Sequence, residues 1–415
     1  ARKVQAVASG ALASGDTVIV NADGTVSVVA LASQAVGTAV VFEQSYSQSM
    51  NSTFDSTNNR IVVGYRDQGN SNYGTVVVGS VSGTNISFGT PLVFESDFCA
   101  DIIPTHDVNA NKVVISYRDI PNSQFGTAVV GTINASNNSI SFGSKVIFNS
   151  SGYTSVMAAV YDSTAQKIVI AWQDGGNQAY GTAIVGTVSG TNISFGSKVV
   201  FNSGVASAIS CTYDSNSNKV VITYGDDGNS TYGTAIVGTV SGTGISFGSE
   251  VVFESAFVNF TKATFDSTNN KVVVAYGDAA NSNYGTAVVG TVSGTDISFG
   301  TPVVFEATHV RDTSIAFDST NSKVIISYND EDNSYYGTVI AGTVSGTGIS
   351  FDTALVFEAA GTYFTATTFD SNSNKVVISY LDNGNSNYGT SIVYTPSSTN
   401  LTAENYIGIA SNGYA

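Results

Sequence analysis

Short apolar segments alternate with polar turns along almost the whole chain. In a representative stretch, apolar runs at 271–276, 284–292 and 297–305 are separated by turns of Ser, Thr, Asn, Asp and Gly. The runs are rich in Val, Ile, Tyr and Phe, which favour pleated strands, whereas only six Leu occur in the chain. This pattern predicts an all-β protein with many short strands.

The strand pattern repeats seven times. An aromatic residue two positions before an Asp recurs every 52 residues, with one step of 55. An aromatic-Gly-Thr unit follows it in each copy. The paired positions are Tyr65/Asp67, Tyr117/Asp119, Trp172/Asp174, Tyr224/Asp226, Tyr276/Asp278, Tyr328/Asp330 and Tyr380/Asp382. Internal repeats of this length are typical of propellers and other repeat architectures.

Each repeat predicts four antiparallel strands. The second and third strands are almost continuously apolar, which indicates that both faces of each sheet are covered, as in a propeller blade packed between its neighbours. An open stack of sheets is the alternative, but the phase of the repeats favours a ring. A strand ending in Val-Phe or Ile-Phe closes each of the first six repeats, whereas the last repeat stops after its third strand. A seventh copy of that strand, at 40–43, precedes the first repeat.

We therefore predict a seven-bladed β-propeller of four antiparallel strands per blade, closed by the N-terminal strand joining the C-terminal blade. Closure of this kind removes the exposed sheet edges that an open array must cap. The predicted organisation is an N-terminal arm with a β-hairpin at 1–35, the propeller at 36–396 and a C-terminal arm at 397–415. The hairpin is indicated by Asp23-Gly24 between two β-type segments.

Charge and cysteine content narrow the possible roles. The net charge of −16 argues against nucleic acid, whose phosphates need a basic surface. Nineteen of the 31 acidic residues are placed by the repeat itself. No apolar run reaches the roughly 18 residues of a membrane span. Cys99 and Cys211 fall in non-adjacent repeats, so we expect no disulfide between them.

The repeat resembles those of propeller-repeat, tail-fibre-like virion proteins of marine phages. The resemblance is carried by Phe265-Asp-Ser-Thr-Asn-Asn-Lys-Val-Val-Val-Ala-Tyr and by Tyr284-Gly-Thr-Ala-Val-Val-Gly-Thr-Val-Ser-Gly-Thr-Asp-Ile-Ser-Phe, and it extends to the flanks at 15–26 and 401–410. It implies an exposed virion component with a role in structure or host recognition. It also implies that the natural chain continues beyond Ala415.

The polar residues offer little catalytic chemistry. The two repeated Asp per copy could be ligands of seven metal sites, but Asp side chains also cap turns, which is the simpler explanation for so many copies. His106 replaces a Phe or Tyr of the other repeats, which predicts a packed side chain, and His309 lies in a variable segment predicted to be a loop. A glycosidase with paired carboxylates stays open. We predict no enzyme activity, no cofactor and no metal site.

The seven copies differ mainly in two places: between the fourth strand and the next first strand, and between the second and third strands. Antiparallel topology puts both at one end of the ring, which we call the variable end. The opposite, constant end carries nearly invariant turns. The candidate ligand-binding residues at the variable end are Tyr46, Gln48, Arg66, Phe98, Asp101, Arg118, Tyr153, Asn259, Phe260, His309, Arg311, Asp312, Tyr363 and Phe364.

Aromatic residues mixed with Arg, Asn and Asp suit the recognition of saccharides or proteins. The leading hypothesis is a phage virion protein in the extracellular particle, whose variable end binds a host surface glycan or protein. Two alternatives stay open: an architectural component that contacts other virion subunits, and a secreted propeller lectin. Unconstrained drift of the loops would explain variation too, but it predicts equal variation at both ends.

Overall fold

The computed structural model describes residues 6–399 and 407–409. The chain divides into two compact units. One comprises Val36–Tyr394, and the other is formed by residues before and after it. The larger unit contains all seven sequence repeats.

The repeats of the larger unit are built from four kinds of strand. The long strands are Val40–Asp55, Leu92–Asp107, Val199–Asp214, Val251–Asp266, Val303–Asp318 and Leu355–Asp370, and in the third repeat two pieces, Val146–Asn149 and Thr154–Asp162, replace one. The second strands are Arg60–Asp67, Lys112–Asp119, Lys167–Asp174, Lys219–Asp226, Lys271–Asp278, Lys323–Asp330 and Lys375–Asp382. The third strands are Tyr73–Ser82, Phe125–Asn134, Tyr180–Ser189, Tyr232–Ser241, Tyr284–Ser293, Tyr336–Ser345 and Tyr388–Thr395.

Short strands complete the outer side of the sheets: Asn85–Phe88, Ser139–Phe142, Asn192–Phe195, Gly244–Phe247, Asp296–Phe299 and Gly348–Phe351. Single 3₁₀ turns connect some second and third strands, at Gly175–Asn177, Asp227–Asn229, Ala279–Asn281 and Asn383–Asn385. The strand Ala35–Val36 precedes the first long strand.

Every long strand belongs to two sheets. In Val251–Asp266, the first residues pair with the third strand of the fourth repeat, for instance Val252 with Thr234. The second half pairs with Lys271–Asp278 and is the innermost strand of the fifth repeat. The prediction of a loop between the fourth strand and the next first strand was therefore wrong in six repeats. The chain crosses between sheets while still extended, because its two halves find partners on different sheets.

The strand Val40–Asp55 links the last repeat to the first. Its residues Val40, Val41 and Glu43 pair antiparallel with Ser391, Thr390 and Gly389. Its second half pairs with Arg60–Asp67 of the first repeat. A hydrogen bond of 2.5 Å between the hydroxyls of Ser52 and Thr368 also joins the two repeats.

The core lies between neighbouring sheets. Consecutive residues of a second strand, such as Val272, Val273 and Val274, are all fully buried, so both faces of the sheet are covered. Their side chains alternate between the two faces, and each face packs against a different neighbour.

A buried tyrosine–glutamate hydrogen bond recurs beside this core. The hydroxyl of Tyr276 donates to Glu254 at 3.0 Å, and the equivalent Tyr residues at 65, 117, 328 and 380 do the same to Glu residues 43, 95, 306 and 358. Where Asn202 replaces this Glu, Tyr224 donates to Glu250 instead. Where Asn149 replaces it, the aromatic residue is Trp172, which has no hydroxyl to satisfy.

The repeated Asp residues cap turns, which confirms the structural interpretation of them. At the constant end, the Asp266 carboxylate accepts bonds from the backbone N–H groups of Thr268 and Asn269. At the variable end, Asp278 accepts one from Ala280. His106 is buried, as expected, but it also lies 3.1 Å from the Asp55 carboxylate of the preceding repeat.

The smaller unit contains the predicted hairpin, in which Thr17–Val20 pairs antiparallel with Val26–Val28. Ile407–Ile409 pairs with the other edge of Thr17–Val20, and Leu31–Ala32 pairs with Ser398–Thr399. Most of the C-terminal flank that carries the phage resemblance, from Leu401 onward, lies outside the described residues.

Candidate binding face

Each innermost strand contains a β-bulge with one residue in the left-handed backbone region. The bulged residues have φ between 47° and 54°, and the register of each strand shifts around them. These residues, which we call the bulge ring, are Ser49, Asp101, Val156, Ala208, Phe260, Asp312 and Phe364. None is a glycine, so each stores backbone strain, and bulges of this kind re-aim side chains.

The bulge ring contains four of the fourteen candidate residues. Four more, Gln48, Asn259, Arg311 and Tyr363, directly precede it in the chain. Tyr46, Phe98, Tyr153 and His309 lie where the chain crosses between sheets, and Arg66 and Arg118 lie near the ends of second strands. Gln48, which precedes the bulge ring, pairs with Arg66 near the end of a second strand. Pairs of this kind put the candidate residues at the same end of the sheets.

Exposed aromatic rings recur at the crossing position. Phe98, Tyr153 and Phe257 are 37%, 39% and 40% exposed. Tyr46 and His309 are half-buried at equivalent positions. Leaving apolar rings in contact with water is unfavourable, so their repeated exposure at one end is typical of surfaces that bind a partner.

One cluster surrounds the Glu331 carboxylate. The guanidinium of Arg311 donates to it through Nε at 3.0 Å and Nη2 at 3.3 Å, and the Tyr335 hydroxyl donates at 3.0 Å. His309 Nδ1 also contacts Glu331. These partners hold the pKa of Glu331 below its usual range, since their hydrogen bonds outweigh the partial burial that would raise it.

The ring of Tyr363 lies 6.3 Å from that of Tyr335, with an angle of 32° between them. Two rings tilted toward each other thus lie beside the Arg311–Glu331 ion pair. Stacking surface next to hydrogen-bonding groups is what a sugar ring requires. Tyr335 is not among the fourteen residues predicted from the sequence. A signal was present, because this turn position carries Asn, Gln, Ala or Thr in the other repeats.

A second cluster joins the first two repeats. The Arg66 guanidinium lies 5.0 Å above the centre of the Phe98 ring. Arg118 Nε lies 3.1 Å from Asp101 Oδ2. Burial lowers the pKa of Arg66 and raises that of Asp101, because both charged forms lose water contact.

A cavity of about 420 Å³ is lined by inner-strand residues of all seven repeats. Its lining runs from residues just after the bulge ring, such as Lys262, to residues just before the constant-end turns, such as Phe54 and Tyr161. It contains none of the fourteen candidate residues. The cavity thus lies between the bulge ring and the constant end, separate from the clusters described above.

Among residues 6–399 and 407–409, no group of three or more His, Cys, Asp or Glu side chains is arranged to hold a metal ion. Cys99 and Cys211 are both free thiols. In the same part of the chain, no helix is long and apolar enough to cross a membrane.

Comparison with solved structures identifies the fold. The chain is similar to the BP39L lectin from Burkholderia pseudomallei, with a TM-score of 0.62 and 9% identity over 89% of this chain and 99% of that one. It is similar to the β-propeller domain of Cps50 (Swd1) from Myceliophteria thermophila, with a TM-score of 0.55 and 7% identity over 86% and 99%.

A protein of unknown function from Dyadobacter fermentans is also similar, with a TM-score of 0.52 and 10% identity over 88% and 99% of the two chains. The all-β, propeller-type fold predicted from the sequence is thereby confirmed. No protein-family model matches the chain. No curated protein matches it in sequence.

Proposed function

We propose that this protein is a seven-bladed, closed propeller that binds a surface ligand, a glycan in the first instance, through its variable end. The observation that carries the proposal is the row of exposed aromatic rings at one end, at Phe98, Tyr153 and Phe257, together with the Tyr335–Tyr363 pair. The lectin among the structural neighbours fits this proposal, although its likeness is one of fold.

Ring closure is part of the proposal. The pairing of Val40–Glu43 with the last third strand and the contribution of all seven repeats to one cavity both support it. A closed ring holds seven different inner strands in fixed relative positions. Side chains from separate repeats can therefore form one composite site at the variable end.

The biological setting that we propose is an extracellular phage virion, with a host surface glycan or protein as the partner. This setting rests on the resemblance of the repeat to tail-fibre-like virion proteins. We propose no enzymatic role. The carboxylates of the two clusters are already engaged in contacts. Glu331 contacts Arg311, His309 and Tyr335, and Asp101 contacts Arg118.

The test is a binding assay with a double variant, Arg311→Ala with Tyr363→Ala. A labelled protein is applied to a glycan array and to candidate host cells. Because Tyr363 supplies half of the ring pair and Arg311 orients Glu331, the double variant should lose at least tenfold in binding. Neither side chain is fully buried, so the melting temperature should stay within a few degrees.

Controls at the constant end must leave the turns intact. Asn269 is unsuitable because its side chain donates to Asp266 at 2.8 Å, and Asn270 has a φ of 53°. Ser267→Ala with Ser319→Ala changes two exposed side chains at that end instead. Equal binding by both double variants would show that the variation between repeats is drift.

A specific observation favours an architectural role as the second candidate. Near the start of most long strands, where the strand pairs with the third strand of the preceding repeat, one aliphatic side chain is 38–46% exposed. These residues are Leu92, Ile147, Val200, Val252, Val304 and Val356. Such residues could pack against other virion subunits around the circumference. Replacing Val200, Val252 and Val304 with Thr should then abolish assembly without affecting glycan binding.

A further inference from the structure

In two repeats the second-last residue of the second strand carries an amide that bonds to the next inner strand, whereas in three others it is Gly or Leu. Gln173 Nε2 donates to the Ala206 carbonyl of the next inner strand at 3.1 Å. Asn329 likewise donates to the Thr362 carbonyl. These side chains tie one sheet to the next. The equivalent residues of the first two repeats are Arg66 and Arg118.

Arg66 does not perform this task. Its Nε is shielded from solvent and has no hydrogen-bond acceptor, and no carboxylate of the described residues lies within 4 Å of its guanidinium. Its guanidinium lies over the face of the Phe98 ring. A shielded donor without an acceptor is destabilising, more so when the group is charged, unless a ligand supplies the acceptor.

The charges near Arg66 and Arg118 do not neutralise these two guanidinium groups. Arg66 and Arg118 are close enough to repel each other, and Asp101 is paired with Arg118. Two guanidinium groups and the more distant Lys262 thus act on the single carboxylate of Asp101, which leaves positive charge in excess here in a chain of net charge −16. Excess positive charge attracts an anion, and the planar fork of a guanidinium matches a carboxylate.

We propose that Arg66, Arg118 and Phe98 form a subsite for a carboxylate-bearing sugar, such as a uronic acid residue of a surface glycan. Arg66 binds the carboxylate, Arg118 contributes charge, and the exposed part of Phe98 packs against the sugar ring. This inference rests on the proposed function, since it names the class of glycan that the variable end would take.

The experiment compares D-glucuronate, D-glucose and acetate as ligands of the full chain by ligand-observed NMR and calorimetry. Glucuronate should bind to the wild type, more weakly as salt concentration rises, and glucose should bind at least tenfold more weakly. Arg66→Gln should weaken glucuronate at least tenfold. Phe98→Leu should weaken glucuronate but not acetate, because acetate has no ring to pack.

Lys271→Gln is the matched control, because it removes one positive charge at the constant end. It should leave glucuronate binding unchanged. Equal loss in Lys271→Gln and Arg66→Gln would overturn the subsite by showing a non-specific effect of net charge. Unchanged glucuronate binding in Arg66→Gln, with its melting temperature retained, or no glucuronate binding by the wild type would also overturn it.

The outcomes separate this inference from the proposed function. Loss of glucuronate binding in Arg66→Gln alone supports the subsite, whatever the Arg311/Tyr363 variant does. If glucuronate binds and is lost in Arg66→Gln but the protein binds no glycan on the array and no host cell, the carboxylate subsite is supported and the proposed glycan function is overturned.

Discussion

Comparison of equivalent residues between repeats distinguishes residues that stabilise the fold, which we call framework, from candidates for ligand binding. The Tyr–Glu hydrogen bond is framework, because it recurs in five repeats and a new acceptor, Glu250, serves Tyr224 where Asn202 replaces the Glu. In the remaining repeat Asn149 accompanies Trp172, whose Nε1–H has no acceptor among the described residues. Arg66 Nε also lacks an acceptor. Trp172 is fully buried, whereas Arg66 is partly exposed, which is why we propose the carboxylate subsite at Arg66.

Tyr276→Phe tests the framework hydrogen bond. Burial raises the pKa of Glu254, and the Tyr276 hydroxyl offsets part of this effect. Since the folded pKa lies above the unfolded one, this carboxyl loses its contribution to stability as pH rises through its folded pKa. Without the hydroxyl the folded pKa rises further. The variant should lose about 1–2 kcal/mol at pH 7 and less below pH 4 in chemical denaturation.

Tyr284→Phe is the control in the same sheet. The Tyr284 hydroxyl has no hydrogen-bond partner among the described residues, so removing it should change the unfolding free energy by less than about 0.5 kcal/mol. A pH-independent loss in Tyr276→Phe would contradict the account given for Glu254.

At the scale of elements, the strands were predictable and their junctions were not. The apolar runs and Asp-capped turns are local signals, so the four strands of each repeat follow from the sequence. The long strand and its bulge depend on pairing with two different sheets, for instance of Val252 with Thr234 and of Asn259 with Gly277. Residues such as Val156 and Phe260 disfavour the left-handed region, so no local rule predicts a bulge there.

The candidate site was predictable to the same extent. Variation between copies identified the end of the sheets and residues such as Arg311 and Tyr363. It did not predict that Glu331 and Tyr335, from the turn between the second and third strands, would meet Arg311 from the inner strand. Contacts of this kind depend on side-chain direction after the bulge, which tertiary structure sets.

Ala208→Gly tests the strain in the bulge ring. Ala208 has a φ of 47°, a conformation that costs an L-residue roughly 1 kcal/mol and glycine almost nothing. The glycine variant should be more stable by up to about 1 kcal/mol, despite the added freedom of its unfolded chain. Differential scanning calorimetry should show a higher melting temperature.

The comparison for that variant is Ala159→Gly, on the inner strand of the preceding repeat and outside the left-handed region. Here glycine relieves no strain, adds unfolded-state entropy and loses a methyl group packed against the core, so stability should fall by about 0.5–1 kcal/mol or more. If both glycine variants were destabilised alike, the bulge would not be strained.

At the scale of the whole molecule, the proposed ring converts seven marginal sheets into one cooperative body. Each sheet buries its two faces against neighbours, so none has a complete core alone. The first and last repeats obtain their second neighbour through the strand Val40–Asp55. Cooperative unfolding of the larger unit should therefore depend on this strand more than on any other of its length.

Two deletions test that dependence. Deleting residues 1–35 removes the N-terminal part of the smaller unit, including its hairpin and Leu31–Ala32, and leaves Val40–Asp55 intact. The larger unit should then still unfold in one transition near the wild-type melting temperature. Deleting residues 1–43 also removes the partners of Ser391, Thr390 and Gly389 and exposes the edge of the last third strand. An exposed edge favours association with other chains. The longer deletion should lower the melting temperature by well over ten degrees and form oligomers in light scattering. If the two deletions unfolded alike as monomers, the N-terminal strand would not close the ring, and the composite site proposed at the variable end would lose the rigid frame on which it depends.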